Sequence, residues 1–338
     1  MTRFGITWVV NNLRSYAGLA RASEEAGFEL IGAPDTQAAD YRELYVSLTV
    51  AALSTEQARL APLVTNPLTR HPGVTAAALG SLHEVSDGRV IFGIGTGDTG
   101  AASLGLPYGR LGELSEYVAA VQRLLTGAPA DYQGRVAQVR WLAGGIPTFI
   151  AADGPRTLEY AAGVADGLIV GSGVTPEVVA AVRERVTAGA LSAGRSIDRL
   201  ELWWVVRVAL GADRDEALTA ALPSLAAGAN HALRGNLEGR ALPAHLTEPI
   251  RALQAGYQVG EHSRFGATNP NARLARDLGL ADYLADRFGI VGTPAECARR
   301  IRELAGFGVT NLLIRPQAAD RSEFLRRWRE EVRPALAG

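Results

Sequence analysis

Between Arg59 and Gly100 the sequence packs a strand, a loop, a helix, a second strand and a second loop into one short stretch. The runs 58–65 and 90–95 are short and apolar, as buried strands are. Residues 72–85 between them carry small and apolar side chains at helical spacing. Pro72 suits the first turn of that helix, and Gly88 lies just past its end. Both loops are richer in Thr, Asn, Pro and Gly than a plain connector needs. Two parallel strands that each end in such a loop argue for neighbouring units of a β/α barrel, where the working loops follow the strands.

The same unit recurs along the chain. Strands are expected over 4–10, 30–33, 58–65, 90–95, 148–152, 167–170, 200–210 and 309–315. Helices are expected over 15–27, 43–54, 72–85, 113–126, 155–165, 176–193 and 320–332. A small hairpin is expected around 132–136. Eight strand–helix units in strict alternation favour a closed (β/α)8 TIM barrel over an open sheet. The stretch 212–288 is far longer than an ordinary connection. It reads as a lid or substrate insertion between strands seven and eight of one domain spanning 1–338.

Composition narrows the function. The chain has 338 residues, 47% of them hydrophobic, and a formal net charge of −1. No basic stripe points to nucleic acid, and no apolar run points to a membrane. All 34 basic residues are arginine, which excludes a Schiff-base lysine. Cys297 is the only cysteine, so no internal disulfide can form, and a cytoplasmic setting is expected. No group of His, Cys and acidic residues has metal-ligand spacing, so no metal is expected.

Five loops fall at strand ends. They are Pro34-Asp35-Thr36-Gln37; Val64-Thr65-Asn66-Pro67 with Thr69-Arg70-His71; Gly95-Thr96-Gly97-Asp98; Ala152-Asp153-Gly154-Pro155-Arg156-Thr157; and Gly171-Ser172-Gly173. Phosphate needs close backbone N–H groups and a helix N-terminus. The fourth loop offers both, and it also reads as a plain turn with Asp153 as a helix cap. His71 reads either as a site residue or as a cap. His83 reads as structural, and Cys297 as inert packing. Trp203, Val205 and Arg207 share one face of strand seven by period-two spacing. Arg207 either pairs with an acid or an anionic ligand, or snorkels at the strand end. Trp8, Asn11, Gln37 and Tyr257 are read as pocket lining. His262 reads as a general acid or as part of a solvated lid surface, while His231 and His245 have no supporting context.

In combination, 64–72 (VTNPLTRHP), 88–98 (GRVIFGIGTGD), 149–157 (FIAADGPRT), 287–294 (RFGIVGTP) and the strand before Pro316 resemble the luciferase-like oxidoreductase superfamily. The likeness is to its coenzyme F420-dependent branch, which includes methylenetetrahydromethanopterin reductases. It implies a deazaflavin ring at the barrel mouth, backed by a bulge at Leu63-Val64 whose peptide is often cis. Thr65, Asn66 and Asp35 would stand near the ring, and Gly95, Thr96, Gly97 and Asp98 beside the ring and ribityl chain. Gly154 to Thr157 and Gly171, Ser172 and Gly173 would hold the phosphate end, with Ala152 and Asp153 leading in. Many F420 enzymes place His after the strand-two Asp; here Thr36 stands there, and its hydroxyl is far from titrating near neutrality. Leu63 is bulkier than the Gly often found at its place.

The resemblance implies hydride transfer between F420 and an organic small molecule. Its rivals are an FMN-dependent monooxygenase that uses O2 and a separate reductase, and a flavin-binding relative without turnover. A homodimer is expected from the resemblance alone.

Overall fold

The computed structural model describes residues 1–36, 41–261, 266 and 268–337. In chain order the first elements are β1 (Arg3–Thr7), α1 (Leu13–Glu25), β2 (Leu30–Ala33), α2 (Leu44–Ala52), β3 (Arg59–Pro62), α3 (Pro72–Val85) and β4 (Phe92–Ile94). Then come α4 (Thr99–Ala102), α5 (Leu111–Leu125), the hairpin β5 (Ala130–Tyr132) and β6 (Arg135–Ala137), β7 (Thr148–Ala151), α6 (Pro155–Val164), β8 (Gly167–Val170) and α7 (Pro176–Ser192). The rest of the chain holds β9 (Glu201–Leu210), α8 (Arg214–Ala232), α9 (Thr247–Gly256), α10 (Pro270–Asp277), α11 (Ala281–Phe288), β10 (Gly289–Gly292), α12 (Pro294–Gly306) and β11 (Asn311–Pro316). It closes with α13 (Arg321–Arg327), a π-helical turn (Trp328–Val332) and α14 (Arg333–Ala337).

Eight strands follow the order β3-β2-β1-β11-β9-β8-β7-β4. β3 returns to β4 through the parallel bridges Leu60↔Val90 and Thr65↔Ile94, which completes the eight-stranded TIM barrel. β2 and β8 are buried at every position, which is why they read as unbroken apolar runs, and β10 is equally buried.

Local chemistry sets the helix ends. Asn12 caps α1 by accepting from the Ser15 N–H at 3.0 Å. His71 Nδ1 accepts from the Gly73 N–H at 3.1 Å, with Pro72 in the first turn of α3, so the cap reading of His71 is the one the fold uses. Thr293 and Glu296 form a capping box on α12.

Two compact units emerge from the packing. One holds Gly5–Ala151 and Val164–Leu168; the other holds Met1–Phe4, Ala152–Gly163 and Ile169–Gly338. In the first, Gly32 of β2 takes up the bulk of Leu63. A Cβ at Gly32 would lie 2.3 Å from the Ala61 carbonyl and 2.5 Å from a Leu63 methyl, so only glycine fits. In the second, α8, α9, α10 and α11 bury a core of Leu218, Leu222, Leu225, Ile250, Leu284 and Phe288 against Ala209 of β9 and Val291 of β10. Cys297 is also fully buried, and burial pushes its thiol up to about 12, so it packs as an inert residue.

Three departures from the expected elements stand out. β10 was not expected as a strand; it pairs in parallel with the second half of β9, Gly289 opposite Arg207. The expected strand 58–65 ends as a strand at Pro62, and the Leu63–Val64 peptide that follows is cis. α8 runs unbroken through Pro223. No helix among the described residues is long and apolar enough to cross a membrane.

Candidate functional site

The loops after β2 and β3 meet around one buried carboxyl. Asp35 is 4% exposed. Its Oδ2 accepts from Thr65 Oγ1 at 2.6 Å and from Arg70 Nη1. Arg70 also donates through Nη2 to Glu43 at 2.6 Å and lies over the Tyr45 ring, 5.2 Å from its centroid. Burial opposes the charge on Arg70, but the bonds to Asp35 and Glu43 outweigh it and hold its pKa above the ordinary value. Burial raises the Tyr45 hydroxyl beyond titration and carries Tyr117 to about 12.

The neighbouring residues complete this half of the site. Asn66 is buried, and its Oδ1 accepts from the Leu68 and Thr69 N–H groups at 2.9 and 3.1 Å. That acceptor therefore shapes the loop. The cis Leu63–Val64 peptide agrees with what the resemblance implies. Gly95 is held by a bond from its N–H to the Thr65 carbonyl. Thr96, Gly97 and Asp98 are half-buried, and Asp98 stands at the start of α4. Thr36 is buried beside Asp35 in the chain.

In the other unit, Asp153 joins the loops after β7 and β8. Its Oδ1 accepts from the Gly171 N–H at 2.6 Å and from Ser172 Oγ at 3.0 Å, and His231 Nε2 of α8 lies 3.4 Å from Oδ2. Burial opposes ionisation of Asp153, yet these bonds prevail and hold its carboxyl below the usual range. Arg240 Nη1 donates to the Asp153 carbonyl at 2.7 Å, and its Nη2 lies 3.6 Å from where a Gly154 Cβ would stand. Arg240 Nε is buried without a partner. Pro155 opens α6 immediately afterwards, followed by the exposed Arg156 and half-buried Thr157. Gly173 packs against Arg287, which is 1% exposed and donates to the carbonyls of Ser172, Arg240 and Ala241 and to the Tyr283 hydroxyl.

Arg207 lies 6% exposed on β9. Its Nε and Nη1 are buried with no hydrogen-bond partner. Burial, then the nearby Arg315 cation, pulls its pKa down to about 9, so it is still charged at neutral pH.

The expected residues therefore fall into distinct groups. Asp35, Thr65 and Asn66 come together, as do Asp153, Gly154, Gly171 and Ser172. Trp8 is 3% exposed and donates from Nε1 to Ser23 of α1 at 2.9 Å. Trp203, expected on the substrate side, is placed elsewhere on the same barrel. It is fully buried near the N-terminal start of β9, bonded to Glu201 and covered by the Arg3 guanidinium. Asn11 is exposed, and Tyr257 follows α9 at the edge of the helical core. Gln37 and His262 lie outside the described residues. Arg70, His231 and Arg240 carry contacts that the sequence did not single out. Among the described residues no cluster of His, Cys and acids could hold a metal.

Comparison with known proteins follows this geometry. The chain is 29% identical over 321 residues to 5,10-methylenetetrahydromethanopterin reductase of Methanolobus tindarius, covering 92% of this chain and 93% of that protein. It is 28% identical over 307 residues to the F420-dependent glucose-6-phosphate dehydrogenase of Beutenbergia cavernae, covering 86% and 81%. Its fold superposes on the coenzyme F420-dependent tetrahydromethanopterin reductase from Methanopyrus kandleri with a TM-score of 0.79, at 25% identity over 99% of both chains. The profile of the luciferase-like monooxygenase family matches residues 3–311, and the chain belongs to that family.

Proposed function

We propose that this chain is a coenzyme F420-dependent oxidoreductase that moves a hydride between the cofactor and a small organic molecule. The observation that carries the reading is the end-to-end likeness to F420-dependent enzymes. The donor set at Gly154 supports it. A helix of ten residues opens beside a glycine with no side chain in the way, and a buried Arg240 Nε lacks a partner there. N–H groups at a helix start and an incompletely paired guanidinium suit a phosphate.

When bound, the deazaflavin supplies the ring carbon that accepts or releases the hydride. The chain's own residues bind and orient. In this reading Asp35, Leu63, Val64, Thr65, Asn66, Gly95, Thr96, Gly97 and Asp98 face the ring and ribityl chain. Thr65 and Arg70 fix the Asp35 carboxyl in one position, so it need not reorganise when the ring arrives. Ala152, Asp153, Gly154, Pro155, Arg156, Thr157, Gly171, Ser172 and Gly173 attend the phosphate end. Thr36 orients substrate or water by its hydroxyl, and His262 is the proposed proton donor. Asn11, Gln37, Arg207 and Tyr257 are assigned to the substrate side.

The family description favours one second reading, an FMN-dependent monooxygenase. Titrating the purified protein with F420 and with FMN separates the two. Binding of F420 at micromolar concentration, without oxygen consumption in the presence of reduced FMN, is the expected result. Tight FMN binding with no affinity for F420 would overturn the proposal. Replacing His262 with alanine should slow turnover more than the same change at His83; equal rates would remove His262 from the mechanism.

A further inference from the structure

Arg207 and Arg315 are direct partners in the parallel register of β9 and β11. Residues opposite one another in a sheet project to the same side, so both guanidinium groups leave the sheet together. Neither makes a side-chain hydrogen bond or ion pair among the described residues. Among the described residues the carboxylate whose field reaches Arg207 is that of Asp153, already engaged by His231, Gly171 and Ser172. Two like charges side by side, one of them 6% exposed, form an arrangement that folding alone disfavours.

The surroundings accommodate the pair instead of neutralising it. α8 carries Gly228 where it crosses Arg207; a Cβ there would stand 2.6 Å from the guanidinium carbon. Glycine inside a helix costs about 1 kcal/mol relative to alanine, so this close approach is itself disfavoured by helix propensity. The Phe288 ring lies 5.7 Å from the Arg207 guanidinium carbon and steadies its position without cancelling its charge. Two residues beyond Arg315, the Gln317 Oε1 is buried without a partner and can accept from a hydroxyl. Arg207 also sits three residues inside the end of β9, whereas the proposed phosphate loop follows its strand.

We propose that Arg207 and Arg315 together bind an anionic oxygen group, a carboxylate or a phosphate, carried by the organic substrate. This deepens the F420-dependent reading and rests on it for the identity of the reaction. Two guanidinium groups on one side of a sheet can take both oxygens of such a group. The substrate class is accordingly an acid or a phosphate ester, and a neutral alcohol or ketone is disfavoured.

Inorganic phosphate is the probe, titrated against thermal stability at constant ionic strength set with chloride. The wild-type protein should show a saturable rise in melting temperature. Arg207→Met should weaken the apparent affinity roughly ten- to hundred-fold, and Arg315→Met, at a half-exposed position, at least several-fold. The titration is then repeated with saturating F420, bound as judged by its fluorescence. A response that persists supports a substrate subsite. A response abolished by F420 but not by the deazaflavin chromophore lacking its phosphate tail would overturn the substrate assignment, because the tail would then occupy the pair. No saturable response in the wild type, or one unchanged in both variants, would overturn the site altogether. Failure of F420 to bind the wild type would defeat the proposed function separately, since the first titration contains no cofactor.

Discussion

Replacing Arg207 with methionine should make the protein more stable while removing its anion response. The side chain is 6% exposed, and two of its donors, Nε and Nη1, have no partner. An orphaned buried donor costs about 1–3 kcal/mol. Methionine fills most of the same volume and removes both donors and the charge. The change forfeits the contact with Phe288, worth about 0.5–2 kcal/mol. A net gain of about 1–3 kcal/mol follows, within the range seen when buried charges give way to apolar residues. Unfolding entropy scales with chain length, so in a chain of 338 residues each kcal/mol moves the melting temperature by about 1–2 °C. The variant should therefore melt a few degrees higher, by calorimetry or circular dichroism. Its advantage should depend on pH. The folded-state value of about 9 lies below the ordinary arginine value, so the cost is full below pH 9. It declines as pH rises above 9 towards the ordinary arginine value, so the gap between the two proteins should narrow from pH 9 upward. A variant that melts lower than the wild type at pH 7 would refute the reasoning, because it would mean that the guanidinium has a compensating partner.

Three further outcomes follow from the same kind of accounting. Asp35→Ala strips a buried partner from Arg70 and should cost about 3–5 kcal/mol in urea unfolding, whereas Glu43→Ala, which loses the exposed end of the same bridge and a cap on α2, should cost about 1–2 kcal/mol. Equal losses would contradict the burial argument. A Cβ at Gly154 meets nothing closer than 3.6 Å, so Gly154→Ala should leave the melting temperature unchanged while weakening F420 binding about tenfold or more by titration. The Asp153 carboxyl is held below its ordinary value, so its contribution is complete above about pH 4 and is lost as pH falls further. Asp153→Asn should flatten the acid limb of a melting temperature against pH curve; an unchanged limb would show that another group controls it.

Much of the barrel was legible because its signals are local. The helix at Pro72–Val85 and the strand at Gly167–Val170 match their expected bounds, since Pro, Gly and apolar spacing mark both. β10 was not legible: four residues following a helix directly carry too little pattern, and its partner β9 is distant in sequence. The loops were legible as loops, but their chemistry was not. Asp35 stood out, yet Arg70 is 35 residues away from it, and Arg240 is 87 residues from Asp153. Only the fold brings such pairs together. Arg207 was visible from its awkward place in an apolar strand, but not the in-register Arg315 beside it.

The Arg287 guanidinium has a consequence for how this chain can change. It clips Ser172, at the end of β8, to Arg240 and Ala241, and it does so from the last turn of α11. The chain leaving Ala241 and the chain arriving at Arg287 are thus pinned to the same point. Everything between them is a closed loop of polypeptide with a common anchor. On the proposed reading, variation between residues 242 and 286 can then leave the Ser172 loop where it is, provided Arg287 keeps both ends clipped.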